Sequence, residues 1–166
     1  ESTMNPDLPE MIELAKESGL VVTLSTNGTL LSQELVEKLV QAGPDILNVS
    51  VDAATPELFE EIREGVDARK VLAGMKRLKR ARDAMGRVQE SPWGTVRLPT
   101  LVATCVITPK FDRTEEKVWF ETYGDLVDDV FFHWPNNHAD YVHDEPQRMR
   151  SLIPPKAQDW IYKKVR

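Results

Sequence analysis

The sequence predicts an α/β fold, a parallel sheet covered by helices, and three observations predict it. Apolar, β-branched runs of strand length alternate with amphipathic segments of helical period along residues 1–134. The runs are nearly continuous in apolar residues, as strands buried on both faces require. The connections are short, so each strand feeds a helix that packs back on the sheet. Such a series is either half of a (β/α)₈ barrel or a short doubly wound sheet.

Each element has a local reason. Asp7 to Ser18 places Leu8, Met11, Ile12, Leu14 and Ala15 on one helical face, with Pro6 and Pro9 near its start and Gly19 past its end. Leu20 to Leu24 is the first strand, and it stops at the polar cluster Ser25, Thr26, Asn27 and Gly28. Asn-Gly alone would be turn chemistry, and a second strand would then complete a hairpin. The next segment is instead Ser32 to Ala42, apolar at 35, 36, 39 and 40 with Ser32 as N-cap, so the unit is strand, loop, helix. Ligands sit where such loops leave the carboxyl ends of parallel strands, which places the cluster on a functional rim.

Gly43-Pro44 ends that helix before the strand Asp45 to Val51. Thr55 as N-cap and Pro56 at the first helical position open the helix Glu57 to Glu64. Val71 to Met85 is a third helix with a basic outer face, and Arg87 to Leu98 reads as a surface loop. Leu101 to Thr108 is a strand, Glu115 to Leu126 a helix, and Asp129 to Trp134 the last strand. Residues 1–134 thus form one domain, succeeded over 135–166 by a polar loop and a short helix, Lys156 to Arg166.

Composition narrows the function. A chain of 166 residues with 41% hydrophobic content builds one ordinary core. Lys plus Arg number 21 against 27 Asp plus Glu, a net charge of −6, which argues against nucleic acid as a partner. No stretch approaches the roughly 20 apolar residues that span a bilayer, and no charged-then-apolar leader opens the chain. No membrane association is expected, and the cytoplasm is the simplest location. Phosphate loops of the GxGxxG and GxxxxGKT kinds are absent, which removes the usual nucleotide readings. The single cysteine, Cys105, excludes an internal disulfide and cannot by itself supply the thiolates of a metal cluster; a small core residue is its simpler role.

Several residues are candidates on physical grounds. Ser50 and Asp52 alternate with Val49 and Val51 and share a face. Inside a barrel a carboxylate there is costly unless it binds something, although Asp52 could instead cap the next helix. Arg63 lies among Glu57, Glu60, Glu61 and Glu64, where a surface ion pair is an equal account. His133, His138 and His143 recur at a spacing that no helix places on one face, so a solvated loop is favoured over a metal site.

Three stretches taken together carry a resemblance. Glu1 to Leu8 (ESTMNPDL), Leu24 to Leu31 (LSTNGTLL) and Asn48 to Arg63 (NVSVDAATPELFEEIR) resemble the middle of a radical S-adenosylmethionine (SAM) enzyme core. In that family a GGEP-type motif ends the second strand, a TNG motif the third, and an SxD motif the fourth, with a helix and an arginine beyond it. The resemblance extends over about residues 1–134 and implies a partial (β/α) TIM-like barrel with parallel strands and outer helices.

It also implies roles. Glu1, similar to the last residue of the GGE motif, would bind the ammonium of the SAM methionine; Ser2 departs from the usual proline. Thr26 and Asn27 would face the cofactor, Ser50 and Asp52 would approach its ribose or methionine part, and Arg63 would pair with its carboxylate. Thr108, and His133 to Asn136, stand where the family's chain contacts adenine. The family's 4Fe-4S cluster is held by a CxxxCxxC loop that this chain lacks, so its ligands are expected upstream of Glu1, where the chain opens in mid-motif.

The implied activity is reductive cleavage of SAM to a 5′-deoxyadenosyl radical that abstracts a substrate hydrogen, with flavodoxin or ferredoxin as reductant. The substrate is unread; family analogy suggests modification of a peptide, a protein or a natural product. The competing reading is a non-catalytic α/β domain that kept the scaffold to bind a ligand or partner. A third is a barrel lyase pairing Asp52 with a strand-end lysine, for which only Lys110 is at hand.

Overall fold

The computed structural model describes residues 1–91 and 94–133. The expected polar segment 135–166, with its terminal helix, His138 and His143, lies outside the described residues.

Four strands, β1 (Thr23–Thr26), β2 (Ile46–Ser50), β5 (Thr100–Val106) and β6 (Asp129–His133), form one parallel sheet in the order β1-β2-β5-β6. Each new strand is added beyond the last one. A doubly wound sheet reverses direction at a switch point, so the progression is that of a barrel wall. The covering helices are α1 (Leu8–Glu17), α2 (Gln33–Ala42), α3 (Pro56–Ile62), α4 (Ala68–Met85) and α5 (Arg113–Tyr123), the last continued by a 3₁₀ turn, Gly124–Leu126.

Strand alternation divides the sheet into two faces. Leu24, Leu47, Val49, Leu101, Ala103 and Cys105 are buried in one core with Val36, Leu39 and Val40 of α2, Val71, Met75 and Leu78 of α4, and Trp119 and Tyr123 of α5. The opposite, inner face carries Ser25 beside Asn48, and Ser50 in register with Thr104 and Phe131. That face mixes hydrogen-bonding side chains with the apolar Val102, Val106 and Phe131.

Strand β1 starts at Thr23 rather than Leu20, and it includes Ser25 and Thr26, which the sequence assigns to the loop. Asp45 explains the shift. Its carboxylate accepts the Val22 N–H at 2.7 Å and the Lys16 ammonium at 2.7 Å, and the Val22 carbonyl accepts from Asp45 and Ile46. Ladder pairing therefore begins one residue later, at Thr23 with Ile46, and leaves Leu20 and Val21 at 58% and 80% exposure.

Other differences arise from burial, capping and exposure that periodicity does not reveal. On α1 only Ile12 is buried, while Met11 and Leu14 of the expected stripe are exposed. Helix α4 begins at Ala68, because the Asp67 carboxylate accepts the N–H groups of Arg69 and Lys70. Its face is not uniformly basic: Arg82 is buried at 2% exposure, held by Asp128 at 2.6 Å and Asp83 at 2.7 Å. Asp128 also accepts the Leu101 N–H at 2.8 Å, so one ion pair joins α4 to the starts of β5 and β6. The segment expected to be a surface loop is an antiparallel hairpin, β3 (Val88–Ser91) with β4 (Gly94–Arg97), whose β4 residues are all exposed and give no burial pattern to read.

Gly74 of α4 tests how closely this packing is drawn. Alanine in a helix is favoured over glycine by about 1 kcal/mol. Here, however, an added Cβ would sit 2.7 Å from Leu31 Cβ and 3.3 Å from the Gly28 carbonyl. Overpacking costs about 1–3 kcal/mol, so Gly74→Ala is expected to destabilise despite its propensity gain. A lowered urea midpoint checks this; an unchanged or raised midpoint contradicts it.

Candidate carboxyl-end rim site

The carboxyl ends of β1, β2 and β5 lie side by side, and each carries a cluster fixed by a carboxylate. At β1, a 3₁₀ turn over Ser2–Met4 sets Glu1 against the strand end, and the Ser2 hydroxyl donates to the Ser25 carbonyl at 2.6 Å. Glu1 Oε1 accepts from the Thr3 hydroxyl at 2.6 Å and the Thr26 hydroxyl at 2.7 Å; Oε2 accepts the Asn27 N–H at 2.8 Å. Desolvation pushes the Glu1 pKa up, but the bonds from Thr3, Asn27 and Thr26 outweigh it and hold the group below its ordinary value. Glu1, Thr26 and Asn27, predicted together, are therefore brought together.

The loop after β1 is held as tightly. The Thr26 oxygen accepts the Gly28 N–H at 3.0 Å, and Asn27 Oδ1 accepts the Thr29 N–H at 3.0 Å. The Asn27 oxygen is thus committed to the turn. Gly28 takes φ +76°, and a Cβ there would lie 3.0 Å from both Val49 and Val71, so the glycine serves close approach as well as the turn.

At β2 and β5 the centre is Asp52, only 3% exposed. Its Oδ1 accepts the Val106 N–H at 2.9 Å and its Oδ2 accepts Arg63 Nε at 2.5 Å. The desolvation argument demands partners for this carboxylate; among the described residues they are Val106 and Arg63, and Asp52 does not cap α3, whose N-cap is Thr55. Arg63 is the C-cap of α3, not a residue within it, and it turns to Asp52 instead of the neighbouring glutamates. Only its Nε has a protein acceptor among the described residues, so the two terminal amino groups remain available. Thr108, two residues beyond Val106, has a buried hydroxyl oxygen without a partner. Ser50 lies on the inner face in register with Thr104, and His133 ends β6 with its ring stacked on Phe131 at 6.5 Å.

Three groups were missed by sequence reasoning. Glu115, at 6% exposure, accepts the N–H groups of Ala54 at 2.5 Å and Thr55 at 2.9 Å, and the Thr55 hydroxyl at 3.1 Å. Thr55 is the N-cap by position, but its side chain makes no capping bond because it donates to Glu115. Trp119 donates from Nε1 to the Val51 carbonyl at 3.0 Å. Nothing local marks either residue. Asn48 is a third, bonding Ser25 and Thr104 hydroxyls at 3.3 Å each, and its place two residues before Ser50 was a usable signal.

Lys110 ion-pairs with Glu61 on the exposed surface, away from Asp52's own partners, so the lyase reading lacks its lysine. Cys105 is fully buried; burial above all, and then the charges of Asp52 and Glu115, push its thiol pKa well up. It is a core residue. Among the described residues, no three His, Cys, Asp or Glu side chains are grouped to hold a metal, and no helix is long and apolar enough to cross a membrane.

The chain matches the Radical SAM superfamily over residues 1–86. It belongs to that superfamily. Over 82 residues it is 42% identical to the AdoMet-dependent heme synthase of Methanosarcina barkeri, covering 49% of this chain and 24% of that protein. Over 81 residues it is 40% identical to a probable GTP 3′,8-cyclase of Sulfolobus acidocaldarius, covering 48% and 26%. The chain thus spans about a quarter of the length of these curated relatives. Among solved structures it is similar to Streptococcus suis SuiB bound to S-adenosylmethionine, with TM-score 0.68 and 16% identity over 99% of this chain and 34% of that one. A domain of pyruvate-formate lyase-activating enzyme from Bacteroides vulgatus gives TM-score 0.62 at 12% identity, over 96% and 89%. At these identities the structures establish the fold, the α/β barrel wall predicted from the sequence.

The residues present fit SAM. The buried unpartnered Thr108 oxygen and the uncommitted edge of the Arg63 guanidinium are what a ligand with a carboxylate and ring nitrogens would need. They do not fit the cluster, for which the chain offers one buried thiol.

Glu1 generates a pH prediction. A group whose folded pKa is depressed contributes order above its ordinary range and loses it as pH falls through the depressed pKa. The Asn27 amide resonance is therefore expected to titrate with a midpoint below the ordinary glutamate range, and Glu1→Gln to abolish that titration. A midpoint at or above the ordinary range contradicts the assigned hydrogen bonds.

Proposed function

We propose that residues 1–134 are the SAM-seating part of a radical SAM enzyme barrel, completed in the whole polypeptide by segments that supply the 4Fe-4S cluster. One observation carries the proposal. The Asp52–Arg63 pair sits at the junction of β2 and β5, buried on the carboxylate side and open on the guanidinium side. Asp52 fixes the fork, and the exposed edge of the fork matches a carboxylate.

In this reading Arg63 holds the carboxylate of SAM. The Glu1 Oε2, which accepts a single hydrogen bond, takes part of its ammonium. Thr26 and Asn27 keep Glu1 in place, Ser50 faces the ribose from the inner wall, and the Thr108 hydroxyl meets the adenine. SAM held by these residues would supply radical chemistry for hydrogen abstraction once the whole polypeptide provides the cluster. Flavodoxin or ferredoxin is the reductant consistent with that chemistry. The substrate class we carry forward is a peptide or protein, supported by the uncharged hydrogen-bonding wall of Ser25, Asn48, Ser50 and Thr104 and by the likeness to SuiB, which was also solved bound to its precursor peptide SuiA.

The test uses the whole natural polypeptide with its cluster reconstituted anaerobically. Wild type is expected to bind SAM and, when reduced, to release 5′-deoxyadenosine. Arg63→Ala should weaken SAM binding at least about tenfold, the equivalent of roughly 1.4 kcal/mol, with Arg63→Lys in between. Absence of SAM binding and of 5′-deoxyadenosine from the wild type would overturn the proposal.

A further inference from the structure

Helix α5 lies outside the rim, yet it grips the loop after β2 at three places. Trp119 Nε1 holds the Val51 carbonyl at 3.0 Å. Glu115 holds the Ala54 N–H at 2.5 Å, and the Thr55 N–H and hydroxyl at 2.9 and 3.1 Å. Between those grips is Asp52. Both α5 side chains are buried, Trp119 completely.

The grip extends through α3. That helix is short, Pro56–Ile62, and its first turn leaves N–H groups without intrahelical partners. Glu115 satisfies the N–H groups at its threshold from a distant helix, so the position of α5 fixes where α3 begins. Arg63 ends α3, so the start of the helix sets the reach of the guanidinium to Asp52. Helix α5 is itself registered at its start, where the Asp112 carboxylate accepts the N–H groups of Thr114 at 2.8 Å and Glu115 at 2.9 Å. The Val106 N–H closes the circuit by donating to Asp52. The loops after β2 and β5 are therefore one mechanical unit.

We infer that Glu115 and Trp119 are positioning residues of the SAM site, acting through the Asp52–Arg63 pair without touching the ligand. This rests on the SAM-seating role proposed for that pair. The alternative to exclude is that they only stabilise the fold.

In the cluster-reconstituted whole polypeptide, SAM affinity, KM for SAM and kcat are measured for Glu115→Ala, Glu115→Gln and Trp119→Phe. Arg82→Met, which removes a buried ion pair remote from the rim, is the stability control. Residues that orient a metal's ligands change its affinity by about 10- to 100-fold, and by analogy Glu115→Ala is expected to raise KM for SAM at least about tenfold. Glu115→Gln keeps an acceptor oxygen and is expected to recover most of the affinity. Trp119→Phe keeps the buried ring but loses the bond to Val51, and is expected to raise KM with a smaller change in kcat. Arg82→Met is expected to melt earlier with unchanged SAM affinity.

Trp119→Phe keeps the measurement decisive if Glu115→Ala does not fold. Unchanged SAM affinity in Trp119→Phe, and in Glu115→Ala where it folds, beside a wild type that binds SAM, overturns this inference alone. A wild type that binds no SAM instead overturns the seating role beneath it, and the two failures are distinguished by that one arm.

Discussion

The rim depends on a single buried carboxylate. Asp52 joins the end of β2 to the end of β5 through Val106, and to the end of α3 through Arg63. A charge at 3% exposure is costly to desolvate, and a full set of partners is what makes it tolerable. Losing Arg63 would leave an uncompensated buried charge; losing Asp52 would leave Arg63 unaimed and the Val106 N–H unpaired. The same interaction therefore holds three elements together and, under the proposed function, would aim Arg63, so the local geometry of β2, β5 and α3 has to agree with it.

That agreement is achieved across long stretches of chain. The bonds that fix the loop after β2 come from residues 106, 115 and 119, which lie beyond the hairpin along the chain. Parallel strands cannot pair with their sequence neighbours through a tight turn, so distant contacts of this kind are intrinsic to the architecture. Contacts within one segment, such as the Ser32 and Asp112 caps, set where helices begin. Contacts between segments decide which side chains meet.

Legibility in the sequence obeys that division. The strand–helix alternation, the Ser32 cap and the cluster at Thr26 and Asn27 were readable because each is expressed within a few residues. Asp52 and Arg63 were both singled out, but for separate partners; their pairing spans a helix and was invisible to local reasoning. Glu115 reads as an ordinary acidic residue in a first helical turn, where the helix dipole favours it, so its burial leaves no trace. Arg82 reads as surface for the same reason, since its neighbours on α4 are basic. The hairpin escaped because its exposed residues carry no alternation to detect. SAM itself entered through the resemblance of three linked motifs, not through composition or spacing.

The acidic composition has an architectural explanation that also bears on the ligand. Five carboxylates accept backbone N–H groups from another segment of the chain at or beside strand ends: Asp45 from Val22, Asp128 from Leu101, Asp52 from Val106, Glu1 from Asn27, and Glu115 from Ala54 and Thr55. At the amino ends of the strands the carboxylates are matched by cations, Asp45 by Lys16 and Asp128 by Arg82. At the carboxyl ends Asp52 has Arg63, while Glu1 and Glu115 have no cationic partner among the described residues. The carboxyl-end rim thus keeps an excess of negative charge, held in place by hydrogen bonds rather than by salt bridges. Charges beside a partly enclosed surface act through a lower dielectric than water and favour a ligand of opposite sign. An ammonium and a sulfonium, both carried by SAM, would suit such a rim under the proposed function, with the open edge of Arg63 left for its one anionic group.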